Sequence, residues 1–157
     1  MSTYRWIETE VPKDLELRQV YGFIFSPDGR TVLLEDVGKY NLPGGKPEKD
    51  ESAFETLIRE VNEEAQLSIS SIEYLGYQLI KGDEEFAQVR FIALIDQIHP
   101  SADDPSTGRK YSRLLVPPIQ LNELLLWGKS GEGQIFSAIA AVSKLGVTWD
   151  GSPRSFI

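Results

Sequence analysis

Between Arg59 and Glu64 the chain reads Arg59-Glu60-Val61-Asn62-Glu63-Glu64, and a further acid, Glu51, follows the turn sequence Leu42-Pro43-Gly44-Gly45. On a helix advancing about 100° per residue, Glu60, Glu63 and Glu64 share one face. Like charges at i,i+3 and i,i+4 each cost an isolated helix about 0.2–0.5 kcal/mol. A bound divalent cation would turn that repulsion into attraction, so the cluster points to metal chemistry.

The element that must hold these acids announces its own start. Ser52 has Glu55 three places on, a capping-box spacing that predicts a helix over Ser52 to Ala65. Its apolar stripe is Phe54, Leu57, Ile58, Val61 and Ala65. The acidic face adjoins that stripe, so burying one leaves the other at an accessible edge. Upstream, Gln19 to Phe25, the turn cluster Ser26-Pro27-Asp28-Gly29 and Thr31 to Leu34 predict a β-hairpin, and Asp36 to Lys49 reads as loop.

Downstream, Ile72 to Ile80 and Phe86 to Ile98 predict strands around the turn Lys81-Gly82-Asp83-Glu84. Pro100 to Lys110 is a polar loop, and Ser112 to Val116 a short strand. Leu121 to Trp127 and Gln134 to Leu145 read as helices. Strands interleaved with two substantial helices predict an α/β or α+β layered domain. A chain of 157 residues without repeat or linker is expected to form one domain, residues 1–157.

Composition excludes several classes of chemistry. There is no cysteine, which removes disulfides, thiolate zinc sites and thiol catalysis. His99 is the only histidine, so a His-dependent triad or a multi-histidine metal site cannot be built, and its neighbour Pro100 predicts a loop position. A net charge of −8 opposes long-range attraction of DNA or RNA, although a metal on the carboxylates can still make a local polyphosphate site. No apolar run approaches a membrane span and no secretory segment opens the chain, so a cytoplasmic location without membrane association is expected.

The segment Gly45 to Leu67 resembles the Nudix box, G-x5-E-x7-R-E-U-x-E-E-x-G-U, with U a bulky aliphatic residue. Gly45, Glu51, Arg59, Glu60, Val61, Glu63, Glu64 and Leu67 match in register. Tyr40-Asn41-Leu42-Pro43-Gly44 also resembles the family's entry to the box. Gln66 stands where the second box glycine belongs, a position after a helix where glycine accepts the left-handed conformation. A local adjustment after Ala65 is expected there, with the acids undisturbed. Asp50 replaces a glycine common before the first glutamate.

The resemblance implies a Nudix α/β/α sandwich with a mixed central sheet, the box helix on one side and the C-terminal helix on the other. It implies hydrolysis of the pyrophosphate linkage in a nucleoside diphosphate joined to another moiety, with Mg²⁺ or Mn²⁺ as cofactor. Hard divalent ions prefer such oxygen donors. By analogy, Glu60 and Glu64 are the principal ligands and Glu63 a further ligand or water-orienting base. Gly45 adds its carbonyl, Arg59 orients carboxylates through ion pairs with Glu55 or Glu63, and Glu51 supports the helix start or a second metal. Tyr40, Gly44 and Gly45 are the substrate-contact candidates. The partner is a small nucleotide, such as a nucleoside triphosphate or nucleotide sugar, and dimers common in the family leave a homodimer open.

Two other functions share the fold. An isopentenyl-diphosphate isomerase reading fails because that reaction uses a cysteine. A non-catalytic nucleotide-sensing or regulatory module is the alternative, and the retained box acids favour an enzyme over it. Gly128-Lys129-Ser130 imitates the end of a P-loop, but Glu123 occupies the place of its first glycine. Gly131 and Gly133 are expected to connect into the last helix. Asp103 and Asp104 could supply a carboxylate from outside the box, but a solvated loop is the expected setting. Trp127 and Trp149 are expected to pack near the C-terminus.

Overall fold

A computed structural model describes residues 1–157. Its strands are β1 (Thr3–Ile7), β2 (Glu16–Phe25), β3 (Thr31–Asp36), β4 (Lys39–Asn41), β5 (Gly44–Gly45), β6 (Leu67–Lys81), β7 (Glu85–Ile98), β8 (Ser112–Val116) and β9 (Ser155–Phe156). The helices are α1 (Ala53–Ala65), α2 (Leu121–Leu125) and α3 (Lys129–Lys144). All strands join one sheet in the order β1-β6-β7-β2-β3-β8-β9, with β4 paired to β3 and β5 to β2. The β2–β7 pairing is parallel and the others antiparallel, so the expected mixed α/β sheet is present.

Each sheet face carries its own core, as alternating strand residues require. Val20, Ile24, Val89 and Phe91 pack with Leu57, Val61 and Ala65 of α1. Phe23, Phe25, Ile92 and Leu114 pack with Leu121 and with Ile135, Ala138 and Val142 of α3. The expected stripe of α1 is narrower than its sequence suggests. Leu57, Val61 and Ala65 are buried, whereas Phe54 and Ile58 remain 47% and 41% exposed on the adjoining row.

The predicted hairpin closes only at its tip, where Phe25 pairs with Thr31. Below that pair β2 and β3 separate. β5 enters the fork and pairs Val20 with Gly45 and Tyr21 with Gly44. The expected loop from Asp36 to Lys49 therefore contains two short strands. This arrangement brings the box glycines onto the sheet beside α1.

Helix α3 begins five residues before the expected Gln134, and Gly131 and Gly133 lie inside it instead of forming its connection. At Gly131 an added Cβ would come within 2.5 Å of Asn122 and Trp127, so glycine permits α2 and α3 to approach closely. Gly128, Lys129 and Ser130 form the entry to α3 from α2, with no preceding strand to make a phosphate-binding turn. No helix is long and apolar enough to cross a membrane.

Candidate active site

The capping box at the start of α1 is fully formed: Ser52 Oγ accepts from the Glu55 backbone N–H and Glu55 returns its carboxylate to the Ser52 N–H. Glu55 is thereby committed to the helix end, and Arg59 does not pair with it. Arg59 instead grips Glu51 with two donors, Nε to Oε2 at 2.7 Å and Nη2 to Oε1 at 2.9 Å. Its Nη1 reaches Glu60 at 2.9 Å and Glu63 at 3.3 Å, while Nη2 also donates to the Lys46 carbonyl.

Glu51 is equally committed. Thr56 Oγ1 donates to it at 2.7 Å, as does the Glu48 N–H at 3.0 Å. The Arg59 guanidinium, with help from these donors, holds the Glu51 carboxyl down at about 2 despite partial burial. Of the two roles expected for Glu51, support of the helix start is the one its contacts display. As a metal ligand it would use the remaining lone pair of Oε2, which accepts only from Arg59 Nε.

At the other end of the cluster Glu64 has no ion-pair partner. Its Oε1 accepts one hydrogen bond, 2.8 Å from the Gly44 N–H. Burial pushes its carboxyl up to about 8, opposed by the Gly44 N–H and reinforced by the negative charges of Glu60, Asp104 and Glu63. Burial also raises Glu60, against the pull of Arg59. At Gly45 an added Cβ would fall 2.6 Å from the Glu60 carboxylate, so the glycine leaves room for that side chain beside β5.

Asp104 corrects a sequence expectation. Its side chain is 2% exposed, whereas the neighbouring Asp103 is exposed. The Asp104 carboxylate accepts from the Ser106 N–H and Oγ, both at 2.9 Å, which turns it inward from a polar loop. Its charge acts on both Glu60 and Glu64. Serine two places after an aspartate was the available signal for such a turn.

Gln66 holds φ 52°, ψ 43°, the left-handed conformation expected of glycine, and its N–H closes the helix on Asn62. The side chain compensates: Nε2 donates to the Glu63 carbonyl at 2.8 Å and Oε1 accepts from Ala102 N–H at 3.2 Å. Gln66 thus ties the end of α1 to the loop that carries Asp104. Asp50 also adopts a left-handed φ of 63°. His99 lies just after β7, as expected, with its ring nitrogen 2.8 Å from Ser68 Oγ.

A cleft of about 300 Å³ opens beside Glu64, lined by Tyr21, Leu34, Asn41, Leu42, Gly44 and Tyr111 among others. Tyr40 is not in this lining and packs against the α3-side core, since alternation along β4 turns Asn41 and Tyr40 opposite ways. Tyr21 and Tyr111 are the aromatic residues at the cleft. Neither was singled out by sequence, because each reads as an ordinary strand or loop residue.

No group of three or more aspartate, glutamate or histidine side chains is gathered at metal-ligand spacing, since Arg59 draws Glu51, Glu60 and Glu63 to itself. The donor chemistry nevertheless suits a hard divalent cation. The available atoms are carboxylate oxygens, and the half-buried Glu64 faces other negative charges with no cation of its own.

The NUDIX domain model matches residues 16–137. YtkD of Bacillus subtilis (strain 168), named as a candidate 8-oxo-dGTP diphosphatase, is 39% identical over 77 residues, covering 48% of this chain and 49% of its own. The chain thus spans about half the length of that relative. The Bacillus subtilis pyrophosphohydrolase BsRppH, solved as a point mutant, is 26% identical with a TM-score of 0.59 over 65% of each chain. A NUDIX hydrolase from Nitrosomonas europaea shares the fold at 17% identity, with a TM-score of 0.62 over 87% of this chain and 100% of its own. With the box residues in register on α1 and the domain match covering most of the sequence, the chain belongs to the Nudix family.

Proposed function

We propose that the chain is a divalent-metal-dependent pyrophosphohydrolase acting on a nucleoside diphosphate joined to another group. The observation that carries this reading is Glu64, which opens into the cleft without a cation of its own under the negative charges of Glu60, Asp104 and Glu63, while Arg59 pairs with Glu60 and Glu63. The names of YtkD and BsRppH, a diphosphatase and a pyrophosphohydrolase, support the same class of reaction.

In this reading Glu60 and Glu64 are the principal ligands of Mg²⁺ or Mn²⁺, with Glu63 as a further ligand or the base that orients water. The Gly45 carbonyl adds a neutral oxygen, and Asp104 adds negative charge from outside the box. The metal supplies charge neutralisation at the diphosphate and polarisation of phosphorus. Arg59 is a positioning residue: it fixes Glu60 and Glu63 and is itself fixed by Glu51. Gly44 holds Glu64 through its N–H and, with Gly45, forms the wall against which the diphosphate lies. Tyr21, Asn41 and Tyr111 line the path to the rest of the substrate, while the inward packing of Tyr40 makes it a support for that wall.

A panel of nucleoside triphosphates, oxidised nucleoside triphosphates and nucleotide sugars, with Mg²⁺ and with Mn²⁺, tests the proposal. Release of a nucleoside monophosphate from at least one member is expected. Silence across the panel would favour a ligand-sensing module instead.

A further inference from the structure

Beyond Tyr21 the cleft continues along the sheet face that α3 covers. A second cavity, of about 190 Å³, shares Tyr21, Asn41 and Leu42 with the cleft beside Glu64 and adds Arg90 and Trp127. A third, of about 310 Å³, shares Arg90 and Trp127 with the second and adds Gln78 and Gln134. The three form one groove. Its polar end lies where alternation along β6 and β7 would place more apolar core, since Ile92 on the same face of β7 belongs to the α3-side core.

Arg90 is the unusual member of this groove. It is 5% exposed and has no carboxylate partner in the protein. Nε donates to Gln134 Oε1 at 2.8 Å, and Gln134 Nε2 passes a second bond to Gln78 at 3.0 Å. Nη1 is buried with no hydrogen-bond partner. The guanidinium lies near two rings, 5.0 Å from the centre of Tyr21 and 5.5 Å from that of Trp127. A desolvated cation with an idle donor is costly, and burial pulls its pKa down to about 10.

Position argues for what should lie against it. Arg90 pairs with Tyr21 across β7 and β2, and Tyr21 pairs with Gly44 across β2 and β5. Two strand spacings, about 10 Å in all, thus separate Arg90 from the glycine that donates to Glu64. A nucleotide whose phosphates lie at Glu64 would bring its base to Arg90 and Trp127. The guanidinium offers donors, and a base edge with adjacent acceptors, such as O6 and N7 of guanine, satisfies two of them at once. An amino group at the same position of the base would set donor against donor.

We propose that the groove around Arg90, Trp127 and Gln78 is a base-recognition chamber selecting purines that carry a carbonyl at C6 over those that carry an amine. This rests on the nucleotide reading above for its placement, but it is tested by binding alone. Calorimetric titration compares inosine and adenosine monophosphates, whose bases differ in the carbonyl and amine at C6 and the accompanying proton on N1. The inosine compound should bind about tenfold tighter or more.

Arg90→Met should abolish the preference in a protein that stays folded, because removing the unpaired buried charge offsets the loss of the donor to Gln134. Trp127→Leu should weaken both ligands together. Equal binding, tighter binding of the adenosine compound, no binding at millimolar ligand, or a preference retained in Arg90→Met would each overturn the chamber. Since neither monophosphate contains a pyrophosphate, these outcomes are separate from success or failure of the hydrolysis assay.

Discussion

Arg59 holds Glu51 through two parallel hydrogen bonds, from Nε at 2.7 Å and Nη2 at 2.9 Å, and uses the remaining nitrogen to reach Glu60 and Glu63. The planar fork of arginine makes this possible; a lysine ammonium cannot span the same partners. Arg59→Lys should therefore lower kcat by about ten- to a hundredfold, the usual cost of losing an orienting partner, with a smaller change in KM. Steady-state kinetics on the substrate found by the panel checks this split.

The same pair predicts an acid sensitivity. Glu51 has its carboxyl held at about 2, below its ordinary 4.5, so its stabilising contribution is complete above about pH 4.5 and is lost as pH falls through about 2. Urea midpoints measured from pH 5 down to pH 2 should fall more steeply for the native protein than for Glu51→Gln, which lacks the titrating group.

Gly45→Ala should damage the site more than the fold. The added methyl meets the Glu60 carboxylate, the far end of a side chain that Arg59 is holding, so the carboxylate must move while the sheet need not. A loss of turnover of roughly ten- to a hundredfold is expected, with little change in the urea midpoint.

These consequences follow from local patterns that the sequence displays openly. The capping box of Ser52 and Glu55, the buried face at Leu57, Val61 and Ala65, and the register of Arg59 with the acids are all short-range. What eluded the sequence depends on elements far apart in the chain. The fork that admits β5 between β2 and β3 lies beside a β2 whose other edge pairs in parallel with β7, roughly seventy residues away. Asp104 reads as a solvated acid until its loop folds back over the end of α1. Arg90 carried a visible signal, the one charge in the largely apolar stretch from Phe86 to Ile95, but its companions Tyr21, Trp127 and Gln134 come from other parts of the chain.

Gln66 offers a test of how that loop is secured. Gln66→Ala keeps the left-handed strain and loses both side-chain hydrogen bonds, so it should destabilise by about 1–2 kcal/mol. Gln66→Gly relieves strain worth on the order of 1 kcal/mol and should lie nearer the native protein. Denaturant unfolding of the two variants gives the order directly.

Metal binding should compete with protons at Glu64. Because its folded pKa is raised to about 8, the stability linked to its protonated form is present in full below 4.5 and lost as pH rises through about 8. The gain in thermal midpoint on adding Mg²⁺ should therefore be larger at pH 8 than at pH 5. Asp104→Asn, by removing one neighbouring negative charge, should lower the pH at which Glu64 titrates in metal-free protein, read from its carboxyl carbon resonance.

The decisive experiment is monophosphate release from the best panel substrate by the native protein, Glu60→Gln and Glu64→Gln, each verified as folded, at saturating Mg²⁺. Turnover is expected in the native protein, with most of it lost in both variants. Full activity in both would contradict the assignment of these carboxylates to the metal, and with it the proposed metal-dependent hydrolysis.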